Sequence, residues 1–214
     1  MGFSPQAALE LVDASGRRYS ILDFAGNRFL TESGLLSELA AWLSLVPHSI
    51  LVVQVTTVYV TRDYHQGLYF LGTLLNALVT MVLKRLIRDP RPLGEYSQCV
   101  ALETCGEYGL PSSHTSLAFF AATLVYMNNK AVLSTKEKKK KNIDLYYLWG
   151  LAESVVCMVV ATLVGVSRVH LQYHTITQVL CGALQGLVAG SVWWQVCQAV
   201  TDRRKRRPEP IVRD

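Results

Sequence analysis

The sequence predicts an all-α fold, a polytopic bundle of about five transmembrane helices. Two observations carry that expectation. Half of the 214 residues are hydrophobic and only 17% are charged, and the apolar residues gather in long runs between polar connections. Five of those runs approach or exceed the roughly 20 residues a helix needs to cross ~30 Å of hydrocarbon.

In chain order the runs lie near 39–60, 67–87, 113–129, 145–166 and 175–200, the third being the shortest. At the start of the first, GLLSELAAWLSLVP is a candidate short interfacial helix that Pro47 bends into the span. The opening MGFSPQAALELVDASGRRYS lacks the basic flank, apolar stretch and small-residue cleavage site of a signal peptide, so no cleaved leader is expected. Its surroundings are mildly acidic: Glu10, Asp13, Asp23, Glu32 and Glu38 stand against Arg17, Arg18 and Arg28. There is no internal repeat, and no connection is long enough to bury a core of its own. The expected organisation is an N-terminal polar segment at 1–35, a membrane-embedded domain at 36–200 and a basic tail at 201–214.

Cys157, Cys181 and Cys197 fall inside spans, where cysteine behaves as a small hydrophobe, while Cys99 and Cys105 share a polar connection and would pair only on an oxidising side. Glu153, inside the fourth span, is an intramembrane carboxylate and therefore a functional suspect without an obvious partner.

Charge sets the orientation. Five crossings put the KEKKKK run between spans three and four on the same side as the RRKRR run after span five, and the excess of cations on cytoplasmic loops assigns that side to the cytosol. Lys84, Arg85, Arg88, Arg91 and Arg168 then collect on the other side, against the charge bias. Five cations there call for an anion, which would be the substrate.

Three short motifs reach that face. Lys84 and Arg91 are seven residues apart, about two helical turns, and are expected to project from one side of the end of span two before Pro90 and Pro92 stop it. Arginine grips two phosphate oxygens with a planar fork, and lysine adds a point charge. Next, Leu110-Pro111-Ser112-Ser113-His114 precedes span three, so Ser112 or Ser113 can cap a helix whose first amides bind an anion beside His114. Arg168 and His174 come from the connection between spans four and five. His170 and His174 have an i, i+4 spacing, but no carboxylate or cysteine follows at ligand spacing, so neither a metal nor any other cofactor is expected. Cations and helix-terminal amides suffice to stabilise a transferring phosphoryl group. Of the two histidines, one attacks phosphorus as neutral imidazole and the other protonates the leaving oxygen, then activates water; the residues alone leave the order open.

Taken together, Lys84 with Arg91-Pro92, then Pro111-Ser112-Ser113-His114, then Ser167-Arg168 with His174 resemble the tripartite signature of the type 2 phosphatidic acid phosphatase superfamily, usually KxxxxxxRP, PSGH and SRxxxxxHxxxD. The resemblance implies a helical bundle with a metal-free site at a membrane edge. It makes His174 the nucleophile and His114 the general acid and base, with Lys84, Arg91, Ser112, Ser113 and Arg168 holding phosphate. Two positions depart from the signature: Ser113 replaces Gly and Gln178 replaces Asp. YGLPSSH, IRDPRP and SRVHLQYHTITQV are similar to the dolichyldiphosphatase branch, which implies hydrolysis of dolichyl diphosphate to dolichyl phosphate at the lumenal face of the endoplasmic reticulum, in the recycling of the carrier lipid for N-glycosylation. The expected partners are the bilayer and a polyisoprenoid diphosphate lipid, not nucleic acid. Alternatives are a phosphatase for phosphatidate, a sphingoid phosphate or a polyprenyl diphosphate, and an inactive lipid-binding relative.

Gln178 is placed with the catalytic residues on physical grounds. If residues 174–178 begin span five as helix, His174 and Gln178 share a face, and the amide oxygen can accept the Nδ1 hydrogen of His174, leaving Nε2 free to attack.

Overall fold

The computed structural model describes residues 9–12, 18–21, 35–92, 108–138 and 144–205. A two-stranded antiparallel hairpin, β1 (Leu9–Val12) and β2 (Arg18–Ile21), lies in the N-terminal polar segment. Sequence reading did not resolve it. Five helices follow: α1 (Leu35–Thr61), α2 (Tyr64–Ile87), α3 (Ser113–Lys138), α4 (Asp144–His170) and α5 (Ile176–Lys205). With 24 to 30 residues each, all are long enough to cross a bilayer at 1.5 Å per residue.

Two expectations change. The candidate interfacial helix is not a separate element, because from Leu35 onward its residues are the first turns of α1 and Pro47 lies inside that helix. Without an N–H, Pro47 leaves the Leu43 carbonyl short of one ladder bond, which the helix tolerates. Second, α1, α2, α4 and α5 contain segments apolar enough to span a membrane, at Trp42–Thr61, Tyr64–Ile87, Tyr147–His170 and Ile176–Arg204, whereas α3 is not among them. The reason is position. Helix α3 touches all four others and packs most extensively on α5 and α4, so much of its surface faces protein and has no need of lipophilic side chains. The outer helices carry the lipid surface instead, with Val60, Leu86, Leu148, Trp149 and Leu180 exposed.

Small residues let the helices close. Ala118 and Ala122 of α3 pack on Ala161 and Val164 of α4. On α5, Gly182, Gly186 and Gly190 form a strip at i, i+4 spacing against α3; a Cβ on Gly190 would lie 2.8 Å from Thr123 Cβ, and one on Gly182 2.6 Å from the Ser112 carbonyl oxygen. Polar side chains then join the helices where no water competes. Gln185 Nε2 donates to Thr80 Oγ1 at 2.7 Å, and Asn76 Nδ2 donates to Ser116 Oγ at 3.1 Å, tying α5, α2 and α3 together. Glu153 has a partner: Asn129 Nδ2 of α3 donates to its Oε2 at 3.1 Å. Cys157, Cys181 and Cys197 are free thiols, while Cys99 and Cys105 lie outside the described residues.

The helices alternate in direction. The C-terminal ends of α2 and α4 and the N-terminal ends of α3 and α5 meet at one end of the bundle, where Ser112 N–H donates to the Gln178 carbonyl at 3.0 Å. At the other end, the Arg204 guanidinium lies 4.8 Å from the centre of the Tyr64 ring. The C-terminal ends of α3 and α5 therefore lie at the end of the bundle opposite the three motifs.

Candidate active site

His174 is positioned by how α4 stops. After His170 the chain reverses in a Schellman closure: Gln172 is left-handed (φ 54°) and its N–H donates to the Val169 carbonyl at 2.9 Å, while Tyr173 N–H donates to the Arg168 carbonyl at 3.0 Å. His174 N–H reaches the same Arg168 carbonyl at 3.2 Å. The Tyr173 ring lies beneath the Arg168 guanidinium, 4.2 Å from Cζ to ring centre, and Arg168 Nη1 donates to Ser44 Oγ of α1 at 3.1 Å. The same turn separates the two histidines considered for metal: His170 is exposed and His174 buried.

Helix α5 begins at Ile176, two residues later than a continuous helix from 174 requires. Thr175 caps it through a capping box, in which Gln178 N–H donates to Thr175 Oγ1 and Thr175 N–H donates to Gln178 Oε1, both at 3.2 Å. The predicted contact forms all the same, with Gln178 Oε1 3.1 Å from His174 Nδ1. What changes is its geometry: His174 precedes the helix, and the cap swings the glutamine amide back towards it.

Arg91 is likewise off the helix. Arg88 adopts the left-handed conformation (φ 56°) and closes α2 through its N–H to the Lys84 carbonyl at 3.0 Å, so two helical turns do not connect Lys84 with Arg91. The chain folds back instead, and Lys84 Nζ donates to the Tyr108 carbonyl at 3.3 Å. Helix α3 starts at Ser113, with Ser112 preceding it as the cap and its carbonyl accepting from Ser116 N–H at 2.9 Å. Thr115 Oγ1 donates to Ser112 Oγ at 3.0 Å. The first-turn amides of α3, around Ser113, are the ones a helix leaves without intrahelical partners.

Lys84, Arg91 and Arg168 converge on His174. Burial, reinforced by Arg91, Arg168 and Lys84, pushes its imidazole down to about 2, and the hydrogen bond to Gln178 only partly opposes them. A histidine so placed is neutral at physiological pH and keeps a lone pair for attack. His114 stands across the site within electrostatic reach of Arg168, His174 and Lys84, and its Nε2 is buried without a hydrogen-bond partner among the described residues.

Sequence reasoning missed four contributors. His48 of α1 meets His114 edge to face, with ring centres 5.4 Å apart. Asp89 Oδ2 accepts from Gln178 Nε2 at 2.6 Å. Gly109 lies against the Gln178 amide, and Thr175 caps α5. Only Thr175 had a readable signal, because Thr-x-x-Gln before an apolar run is a capping box.

A model of the PAP2 superfamily matches residues 66–202. The chain belongs to the PAP2 superfamily. Dolichyldiphosphatase 1 of Homo sapiens is 33% identical over 169 residues, 78% of this chain and 67% of that protein. Lipid phosphate phosphatase gamma of Arabidopsis thaliana is 32% identical over 167 residues, 77% of this chain and 68% of that protein. The fold resembles the crystal structure of a transmembrane PAP2-type phosphatidylglycerolphosphate phosphatase from Bacillus subtilis, with a TM-score of 0.51 at 20% identity, covering 80% of this chain and 79% of that one. The PAP2 match takes in all eight candidate site residues but leaves out α1, which brings Ser44 and His48 to the site. As a PAP2 protein with dolichyldiphosphatase relatives, the chain is a membrane-embedded phosphatase.

Proposed function

We propose that this PAP2 phosphatase hydrolyses dolichyl diphosphate to dolichyl phosphate and inorganic phosphate. The observation that carries the reading is a buried, neutral His174 with Nδ1 held by Gln178 and three cations around it. The terminal phosphate docks against Lys84, Arg91 and Arg168, with Ser112, Ser113 and the first amides of α3 beside it. His174 Nε2 attacks phosphorus; the N–P bond forms as the bond to the bridging oxygen breaks, and His114 gives that oxygen its proton. Dolichyl phosphate leaves. A water then attacks the phosphohistidine, returning a proton to His114 and releasing phosphate. The cations that lower the pKa of His174 in the free protein also stabilise the charge spread over the transferring group. The names of the curated relatives support the polyisoprenoid, as does a site at the end of a lipid-facing bundle, where the chain of the substrate stays in the bilayer.

Offering the purified protein dolichyl diphosphate, phosphatidate and a sphingoid phosphate in metal-free detergent is expected to release phosphate fastest from the first. Release from phosphatidate with none from dolichyl diphosphate would establish the second reading, a broader lipid phosphate phosphatase, which the similarity to the Arabidopsis protein favours.

The membrane domain is assigned to residues 36–200, between the polar segment and the basic tail, and the membrane to the endoplasmic reticulum, with the site lumenal and the C-terminus cytosolic. The C-terminal ends of α3 and α5, from which the basic runs continue in the sequence, lie opposite the candidate site, which supports that orientation. A single cysteine introduced near Glu103 is expected to react with an impermeant reagent only from the lumen, and one near Lys139 only from the cytosol. Labelling of both from one side would overturn the topology.

A further inference from the structure

Gln178 is fully buried and uses all of its hydrogen-bonding capacity. Its Nε2 donates to Asp89 Oδ2 at 2.6 Å and to the Pro90 carbonyl at 2.8 Å. Its Oε1 faces Thr175 N–H at 3.2 Å and His174 Nδ1 at 3.1 Å. An ionised carboxylate and a carbonyl only accept, and a backbone N–H only donates, so one orientation of the amide satisfies all of them. A flipped amide would press its oxygen against two acceptors and its NH₂ against a donor. With the oxygen fixed towards His174, Nδ1 has to carry the hydrogen, and Nε2 is left with the lone pair.

The amide also sits in a built slot. A Cβ on Gly109 would collide with the Gln178 amide atoms, and Gly109 N–H donates to the Asp89 carbonyl at 2.7 Å, so the same backbone that makes room for the amide holds Asp89 beside it. A carboxylate accepting from one end of an amide draws its hydrogens and leaves the oxygen at the other end more negative, strengthening the bond that oxygen accepts.

We propose that Asp89 is a positioning residue for His174, acting through Gln178: the carboxylate absent from position 178 is supplied one hydrogen bond further back, in a His174–Gln178–Asp89 relay. The proposal rests on the reading of His174 as nucleophile for its catalytic consequence, but the tautomer it fixes is independent of substrate.

Asp89→Asn keeps an acceptor of the same shape and removes the charge; Asp89→Ala removes both. On dolichyl diphosphate, Asp89→Ala is expected to lower kcat by tens of fold and Asp89→Asn by about tenfold, the scale on which groups one step removed from a reacting centre act, with KM within about twofold of the parent. Asp89→Glu should recover part of the loss. A purely structural tether predicts instead that Asn performs like Asp, and a parental kcat for Asp89→Asn would overturn the proposal. The tautomer is read separately by ¹⁵N NMR of histidine-labelled protein, with the His174 signals assigned by their disappearance in His174→Gln. His174 is expected as the Nδ1–H form in the parent and as a mixture, or the Nε2–H form, in Asp89→Ala. An unchanged Nδ1–H signal in Asp89→Ala would sink the relay even for a protein that cleaved none of the lipids, whereas loss of that signal alongside inactivity would retain the relay and reject the substrate.

Discussion

Replacing His174 by alanine is expected to reduce metal-free phosphate release to the background of the detergent buffer, a loss of about four orders of magnitude or more. No neighbour can take over the attack. Lys84, Arg91 and Arg168 are cations assigned to the proposed phosphate position, and the Gln178 amide is committed to His174, Thr175, Asp89 and Pro90. His114→Ala should cost less, on the order of 10²–10⁴, because it removes proton transfer but leaves the nucleophile. It should also leave more label on the protein when the reaction is stopped by denaturation, since phosphohistidine would form faster than water can be activated to clear it. Residual turnover by His174→Ala, together with none by His114→Ala, would reverse the two roles. The pH profile adds a check of sign. A histidine held near 2 stays neutral as pH falls from 7 to 5, where an unperturbed one would become mostly charged. An acid limb of kcat/KM in that range, which reports free enzyme and free substrate, is therefore expected to persist at the same pH in Gln178 variants and to follow the second ionisation of the lipid phosphate, near 6.

The second large effect is structural. Gly186→Leu should prevent the bundle from closing, because a Cβ at Gly186 already collides with the Ser116 carbonyl oxygen and lies 2.9 Å from Phe119 Cβ and Phe120 N. Two of those atoms are backbone of the central helix and cannot step aside. Over-packing typically costs 1–3 kcal/mol, and more where the obstacle is rigid. Here it also strains the hydrogen bond between Asn76 and Ser116, since Ser116 is the residue whose carbonyl is struck. Thermal unfolding in detergent, followed by loss of the monodisperse chromatographic peak, should show a fall of many degrees. Gly67→Ala provides the contrast: nothing lies within 4 Å of a Cβ there, so a change of a degree or two in either direction is expected. Equal unfolding temperatures for the two variants would show that the α3–α5 glycine strip does not limit packing.

Much of this was legible in the amino acids. Long apolar runs declared the bilayer, and three separated motifs pointed to the end of the bundle where the structure brings them together, because both signals depend on residue type more than on neighbours. What stayed hidden depended on neighbours. The centrality of α3 is written in the small and polar residues Thr115, Ser116, Ala118 and Thr123, which hydropathy reads as weakness in a span and packing reads as fit. Arg91 reaches the site only because Arg88 turns left-handed, a conformation for which a non-glycine residue gives little warning. Asp89 is 89 positions from Gln178 in the chain, and nothing in IRDPRP distinguishes a carboxylate that touches a buried amide from one that faces water.

The closure at the end of α4 has a consequence for how the bundle can work as its lipids come and go. One carbonyl, that of Arg168, receives the amides of both Tyr173 and His174, while the guanidinium of the same residue rests on the Tyr173 ring. Arg168 and His174, the proposed clamp and the proposed attacking group, thus ride on one stiff hook. The distance between the Arg168 guanidinium and the His174 imidazole is therefore expected to stay the same when a long substrate enters between the helices, because both residues belong to one hydrogen-bonded turn.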